Sequence, residues 1–154
     1  MNIDDNENEI RTSSHWTNQN LKGILEIQST IIPKRGGAIA TNKKRITSIP
    51  RVIDNNLMGL TSISEELLPK YLYYFFLGFD LTSISKSAGV PLINNPDIFS
   101  IKISLPPIET QRQIVEKLDK QMQALEGVRL LKSEAQKRIE EILAGVWSVD
   151  YKLI

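Results

Sequence analysis

Leu105-Pro-Pro-Ile-Glu-Thr-Gln-Arg-Gln-Ile-Val-Glu-Lys-Leu-Asp119 runs into one long helical pattern that ends near Trp147. Proline disfavours helical backbone in the residue before it and fits the first helical turn. The chain therefore turns a corner at Pro106-Pro107 and launches a helix. Beyond the corner, apolar residues recur at Ile114, Leu118, Met122, Leu125, Val128, Leu131, Ala135, Ile139, Ile142 and Val146. Their mean spacing, about 3.56 residues, lies between the 3.6 of a straight helix and the 3.5 of a coiled-coil seam. Charges fill the other face, no proline interrupts the pattern, and Gly127 weakens it by only about 1 kcal/mol against Ala. About 40 residues at ~1.5 Å each make a rod of ~60 Å. Such a rod needs another helix to cover its apolar stripe, so Ile114, Leu118, Met122, Leu125, Val128, Leu131, Ile139, Ile142 and Val146 are the expected interface residues.

Working back from the corner, the chain divides into a polar lead-in at 1–20, a small mixed domain at 21–105 and the helix at 106–150. Ile24 to Ile32 suggests a strand ending at Pro33. Residues 33–45 read as a Gly-containing hairpin or loop. Ile46 to Ile53 suggests a second strand interrupted by Pro50, and Asp54-Asn55-Asn56 a turn before a further strand at Leu57 to Leu60. Ser64 reads as the N-cap of a helical segment running through Tyr71-Leu-Tyr-Tyr-Phe-Phe76. At helical spacing these aromatics belong to a core rather than to a base-stacking platform. A last strand is expected from Asp97 to Leu105, through Ile98, Phe99, Ile101 and Ile103. Short strands, a short helix and then the rod define an α+β fold with an appended helix.

Formal net charge is +1 and there is no cysteine. The first excludes a polycation, and the second excludes disulfides and thiolate metal sites and suits a reducing cytoplasm. No apolar leader segment opens the chain, and the longest apolar run, Tyr71 to Phe79, is far too short to span a membrane. Charge is nevertheless uneven: between Glu26 and Asp54 stand six basic residues and no acid. These are Lys34, Arg35, Lys43, Lys44, Arg45 and Arg51, interleaved with Gly36, Gly37, Thr41 and Asn42. Small residues let a backbone approach a phosphate, and Arg, Lys, Asn and Thr supply donors to phosphates and base edges. Lys34, Arg35, Thr41, Asn42, Lys43, Lys44, Arg45 and Arg51 are thus candidate contacts to double-stranded DNA. A solvated basic loop is the plainer alternative.

Catalytic readings find less to stand on. Gly37-Ala-Ile-Ala-Thr-Asn-Lys-Lys44 has Asn where a P-loop has its second Gly, and no Ser or Thr follows the lysine to hold Mg²⁺. Asp97 and Glu109 have the outline of a nuclease carboxylate pair. An acid at the start of a helix is explained more simply by the helix dipole. His15, the lone histidine, leaves little for acid–base or metal chemistry. No cofactor or metal is expected, and the chain reads as a non-catalytic reader or adaptor.

Three segments resemble the specificity subunit of type I restriction–modification systems. Pro33-Lys-Arg-Gly-Gly-Ala-Ile-Ala40 is similar to a strand–turn of that family's target recognition domain. Pro69-Lys-Tyr-Leu-Tyr-Tyr-Phe-Phe76 followed by Ile93-Asn-Asn-Pro-Asp-Ile98 is similar to its tyrosine-rich helix and subsequent turn. Ile103-Ser-Leu-Pro-Pro-Ile-Glu-Thr-Gln-Arg-Gln-Ile-Val-Glu-Lys-Leu-Asp119 resembles its strand–proline–helix junction and is the most specific of the three. The resemblance covers about residues 30–150. It implies a non-catalytic domain that reads half of a split DNA sequence. It also implies a helix that pairs as an antiparallel coiled coil, spaces two such domains and docks methyltransferase subunits, with the restriction subunit recruited indirectly.

The family carries two recognition domains and two long helices, whereas this chain has one of each and less sequence ahead of the Arg35 turn. Thr110 also stands where the family has Glu. A half-sized subunit would restore the pair as a homodimer. The alternative is a truncated remnant that acts only through its helix in assembly.

Overall fold

The computed structural model describes residues 9–10, 23–85 and 89–147, without the side chains of 9–10 and Trp147. The chain divides into two compact units, Met1–Val115 and Glu116–Ile154.

The first unit is built on a four-stranded sheet ordered β1-β3-β2-β4, from β1 (Glu9–Ile10), β2 (Thr30–Pro33), β3 (Arg45–Thr47) and β4 (Leu57–Leu60). β2 is antiparallel to both neighbours, with Ile31 opposite Arg45 on one side and Gly59 on the other. β1 joins β3 in parallel, Glu9 opposite Ile46. This pairing adds a short strand inside the polar lead-in. Edge pairing uses backbone groups, which a polar sequence still supplies.

All four β2 residues are buried. Successive side chains on a strand point to opposite faces, and the two isoleucines accordingly serve separate clusters. Ile32 joins Ile39, Met58, Leu72, Phe76, Leu81 and Ile93 in the main core. Ile31 packs with Leu25, Ile53 and Leu57. Strands β2 and β3 are both shorter than their sequences suggest. Before β2, the chain turns through Gly23 and Gln28, both at positive φ. After β3, Pro50 cannot donate to a ladder, and Arg51 makes only an isolated bridge with Leu25.

The aromatic segment forms α1 (Pro69–Gly78) and buries Leu72, Tyr73 and Phe76, the core role expected for it. It starts later than Ser64, because Pro69 takes the first helical position and keeps Leu68 extended. Ser64 instead closes a local turn, its hydroxyl accepting from Glu66 N–H at 3.2 Å.

The expected strand from Asp97 to Leu105 is replaced by a short helix, α2 (Asn95–Phe99), and an irregular segment outside the sheet. Helix-start chemistry overrides the β-forming side chains. Pro96 suits the first turn, and the buried Asp97 carboxylate accepts from the Asn94 N–H at 2.8 Å. Ile98, Ile101 and Ile103 still reach the core, but Phe99 and Leu105 are exposed.

The long helix α3 spans Ile108–Trp147, 40 residues, as its periodicity requires. Its first turn carries Gln111, which is 0% exposed. The Gln111 Oε1 accepts from Leu68 N–H at 3.0 Å. Its Nε2 donates to the carbonyls of Glu66 at 2.7 Å and Pro106 at 2.9 Å. One amide thereby satisfies the entry to α1 and the proline corner together. In the second unit the helix is solvent-exposed along most of its length, with ion pairs inside the helix such as Glu116–Lys120 and Glu134–Arg138.

Replacing Gln111 by Ala strands a donor and two acceptors, and each unsatisfied buried group costs about 1–3 kcal/mol. Gln111→Ala is expected to lower unfolding stability by about 3 kcal/mol in denaturant titration. The exposed neighbour change Thr110→Ala should stay within about 0.5 kcal/mol. Equal losses in the two variants would refute the brace.

Candidate nucleic-acid interface

Beyond β2 the chain is gripped from two sides by backbone hydrogen bonds. Lys34 N–H donates to the Asn56 carbonyl at 2.8 Å, and the Lys34 carbonyl accepts from Ile93 N–H at 2.9 Å. Gly36 N–H donates to the Pro91 carbonyl at 2.8 Å. Gly36 has φ 73°, where a Cβ is disfavoured. The following Gly36–Thr41 winds into a 3-10 helix rather than a hairpin or open loop. Ile39 is its buried anchor, 1% exposed, while Gly37, Ala38, Ala40 and Thr41 face solvent.

Asn42 ends this segment at φ 53°, ψ 24°, its N–H returning to the Ile39 carbonyl. Asn tolerates this left-handed backbone better than most residues. Its side-chain Oδ1 accepts from Leu81 N–H at 2.9 Å. Two residues on, the Lys44 Nζ donates to the Phe79 carbonyl. The basic segment is therefore tied twice to residues 79–81.

Lys44 is 1% exposed, which removes it from the surface expected to meet DNA. Burial pushes its ammonium below the ordinary lysine value, and the Asp80 charge opposes that shift. Asp80 is held below the usual carboxylate range, first by the Thr82 N–H, then by the Thr82 hydroxyl, with a smaller contribution from Lys44. Arg45 and Arg51 are also buried. Arg45 Nη1 donates to the Lys44 carbonyl at 2.9 Å, and burial lowers the Arg51 pKa. Charge in the sequence therefore overstates charge at the surface. Basic residues so close to β3 and the Leu25–Arg51 bridge are carried under the surface by the strand pairing.

What remains accessible is Arg35 and Thr41, exposed, with Lys34, Asn42 and Lys43 half-buried. The Thr41 hydroxyl already donates to the Ala38 carbonyl at 2.6 Å. Three cations on a short, backbone-anchored segment with small residues between them can approach a phosphate backbone.

The nuclease outline does not form a pair of free carboxylates. Asp97 is committed to the start of α2. Glu109 is exposed and bound to Arg112 at 2.7 Å. Among the described residues no group of three or more His, Cys, Asp and Glu could hold a metal ion. No helix there is long and apolar enough to cross a membrane.

On α3, Leu118, Leu125, Val128, Leu131, Ile139, Ile142 and Val146 are exposed, Leu131 at 67%. Ile114 and Met122 are half-buried. Leu130 and Leu143 add exposed apolar surface outside the expected stripe. The Trp147 side chain lies outside the described residues. Gln111 was the functional-looking polar residue that spacing alone did not single out. Its one signal is its place four residues after Pro107, inside the first turn, where a side chain can reach back to the corner.

The family model for the type I restriction modification DNA specificity domain matches residues 24–135. A type I restriction enzyme specificity subunit from Haemophilus influenzae is 31% identical over 91 residues, covering 56% of this chain and 23% of that protein. Another, from Escherichia coli, is 27% identical over 111 residues, covering 64% of this chain and 27% of its own. The chain thus spans about a quarter of the length of these relatives. A chain from a structural study of complex assembly and conformational transition in the type I R-M system aligns with TM-score 0.62 at 20% identity. That alignment covers 77% of this chain and 29% of the other, and shows a common fold.

Lys44 supplies a pH test of its burial. A lysine whose folded pKa lies below its unfolded value binds its proton more weakly in the native state. Its contribution to stability therefore rises as pH climbs from the folded pKa toward 10.5. The wild type should gain stability relative to Lys44→Met across that alkaline window. A pH-independent difference between them would show that Lys44 is solvated.

Proposed function

The chain belongs to the type I restriction modification DNA specificity family, and from that premise we propose that it recognises double-stranded DNA for a restriction–modification complex. The family match carries this reading, because it runs through the basic segment, the core and the proline–helix junction in one stretch. The first unit is the recognition domain. Arg35, Lys34, Lys43 and Thr41 meet the DNA backbone, with Asn42 at their edge. Lys44, Arg45 and Arg51 support them from beneath.

The chain contributes recognition, and chemistry on the DNA belongs to its partners. Phosphate contacts of this kind supply affinity and register, whereas sequence is read at base edges and through DNA shape.

The α3 stripe is the assembly surface. Its charges are largely balanced within the helix, at Glu109–Arg112, Glu116–Lys120, Glu126–Arg129, Glu134–Arg138 and Lys137–Glu141. What a partner gains is therefore the apolar face. A second copy of the chain, paired antiparallel, covers it and brings two recognition domains together. Methyltransferase subunits dock on the resulting helix pair, and the restriction subunit joins through them. The exposed stripe also favours a second reading, in which the chain assembles through α3 without reading DNA.

Two experiments divide the readings. Arg35→Ala and Lys43→Ala should each weaken duplex binding and reduce the salt dependence of log K by about one contact. Unchanged affinity and slope in both would remove DNA contact from this segment and leave the assembly reading. For the helix, Leu125→Asp and Leu131→Asp place charges in a covered seam. Both are expected to reduce the light-scattering mass of the chain from dimer to monomer. An undiminished dimer in both would exclude this face.

A further inference from the structure

We infer that Asn42 and Lys44 are positioning residues for DNA recognition, fixing the shape of the basic segment without touching the DNA. The inference rests on the DNA reading above. Both residues have the right chemistry for direct contact, yet both spend it internally. Asn42 Oδ1 is held by Leu81 N–H, which fixes the amide inward rather than toward a base edge. Lys44 is almost fully covered, with its ammonium on the Phe79 carbonyl.

The two bonds land on adjacent turns of chain, at Phe79 as it leaves α1 and at Leu81 as it opens a 3-10 turn (Leu81–Ile84). The Asp80 side chain between them caps that turn by accepting from Thr82 N–H at 3.0 Å. Residues 36–44 are thus fastened at one end by Gly36 N–H on Pro91, in the middle by buried Ile39, and at the far end by Asn42 and Lys44. Lys34, Arg35, Thr41, Lys43 and the small residues between them keep solvent-accessible surface toward a ligand. A segment ordered before binding loses less conformational freedom on contact and holds its cations in one register. Loosening the far end should therefore blur selection between duplexes while leaving the number of phosphate contacts unchanged.

The test uses the full chain with Asn42→Gly and Lys44→Met. Glycine keeps the positive φ without strain and deletes the side-chain brace, while methionine keeps the buried stem. Backbone amide exchange is followed at residues 37–43, with β2 and β4 as internal reference. Affinity is then measured for a duplex selected from a randomised pool and for a scrambled competitor, across salt.

In both variants, exchange at 37–43 should rise about tenfold over the reference strands, the size expected from losing one hydrogen bond. Selectivity between the two duplexes should fall by about the same factor, with the salt slope unchanged. Exchange unaltered relative to β2 and β4 overturns the positioning role whether or not DNA binds. A slope reduced by about one in Lys44→Met also overturns it, by making Lys44 a phosphate contact. A wild-type chain that binds no duplex defeats the recognition reading, and the exchange measurement then judges the brace by itself.

Discussion

The buried amide of Gln111 is the constraint around which the first unit closes. A helix launched by two prolines leaves a carbonyl at Pro106 and needs a seat for its first turn. A second helix, α1, begins behind Pro69 with its own exposed backbone ends. Gln111 answers both with one side chain, accepting at Oε1 and donating twice from Nε2. Neither Glu nor Leu can replace this set, since one lacks the donors and the other lacks polar atoms. Buried polar groups are tolerable when all their partners are present. Here the partners come from segments more than 40 residues apart in sequence. The identity of a single residue thereby joins the turn before α1, the proline corner and the start of α3.

The same economy governs the basic segment. Three of its six cations lie below the surface, where an ammonium or guanidinium must be compensated by carbonyls and neighbouring charge. Lys44 meets the Phe79 carbonyl and the field of Asp80. Arg45 meets the carbonyl of its own neighbour. Such residues stiffen the scaffold behind Arg35 and Lys43, and their fields still add to the potential above it. Counting positive charges along the chain would therefore assign the right sign to this region while placing three buried cations on its surface.

The difference between what could and could not be read from the sequence follows from the range of the forces involved. The α3 helix is legible because its apolar spacing repeats from Ile114 to Val146. The aromatic run is legible because bulky residues at helical spacing must be buried. β4 is legible because its flanking Asp54-Asn55-Asn56 turn is local chemistry, with the Asp54 Oδ1 accepting from Asn56 N–H. The misreading at Asp97–Leu105 has the opposite cause. Ile98, Phe99, Ile101 and Ile103 favour a strand by composition, but Asn94, Pro96 and Asp97 favour a helix start by hydrogen bonding, and the local bonds decide. Burial of Lys44 and the service of Asn42 to Leu81 depend on residues nearly 40 positions away, and no local pattern announces them.

The two units answer different physical demands. The first satisfies itself: its isoleucines fill two clusters on the faces of one sheet, and its polar groups are largely committed to turns, caps and the Gln111 junction. The second does not. Intrahelical ion pairs settle its charges, but exposed pairs of this kind are worth about 0.3–0.5 kcal/mol each and cover no apolar area. A row of half a dozen or more exposed Leu, Ile and Val side chains on one helix is more than a solvated surface helix needs, and its mean spacing lies between that of a straight helix and that of a coiled-coil seam. The sequence retains those side chains while keeping charge on the remaining faces.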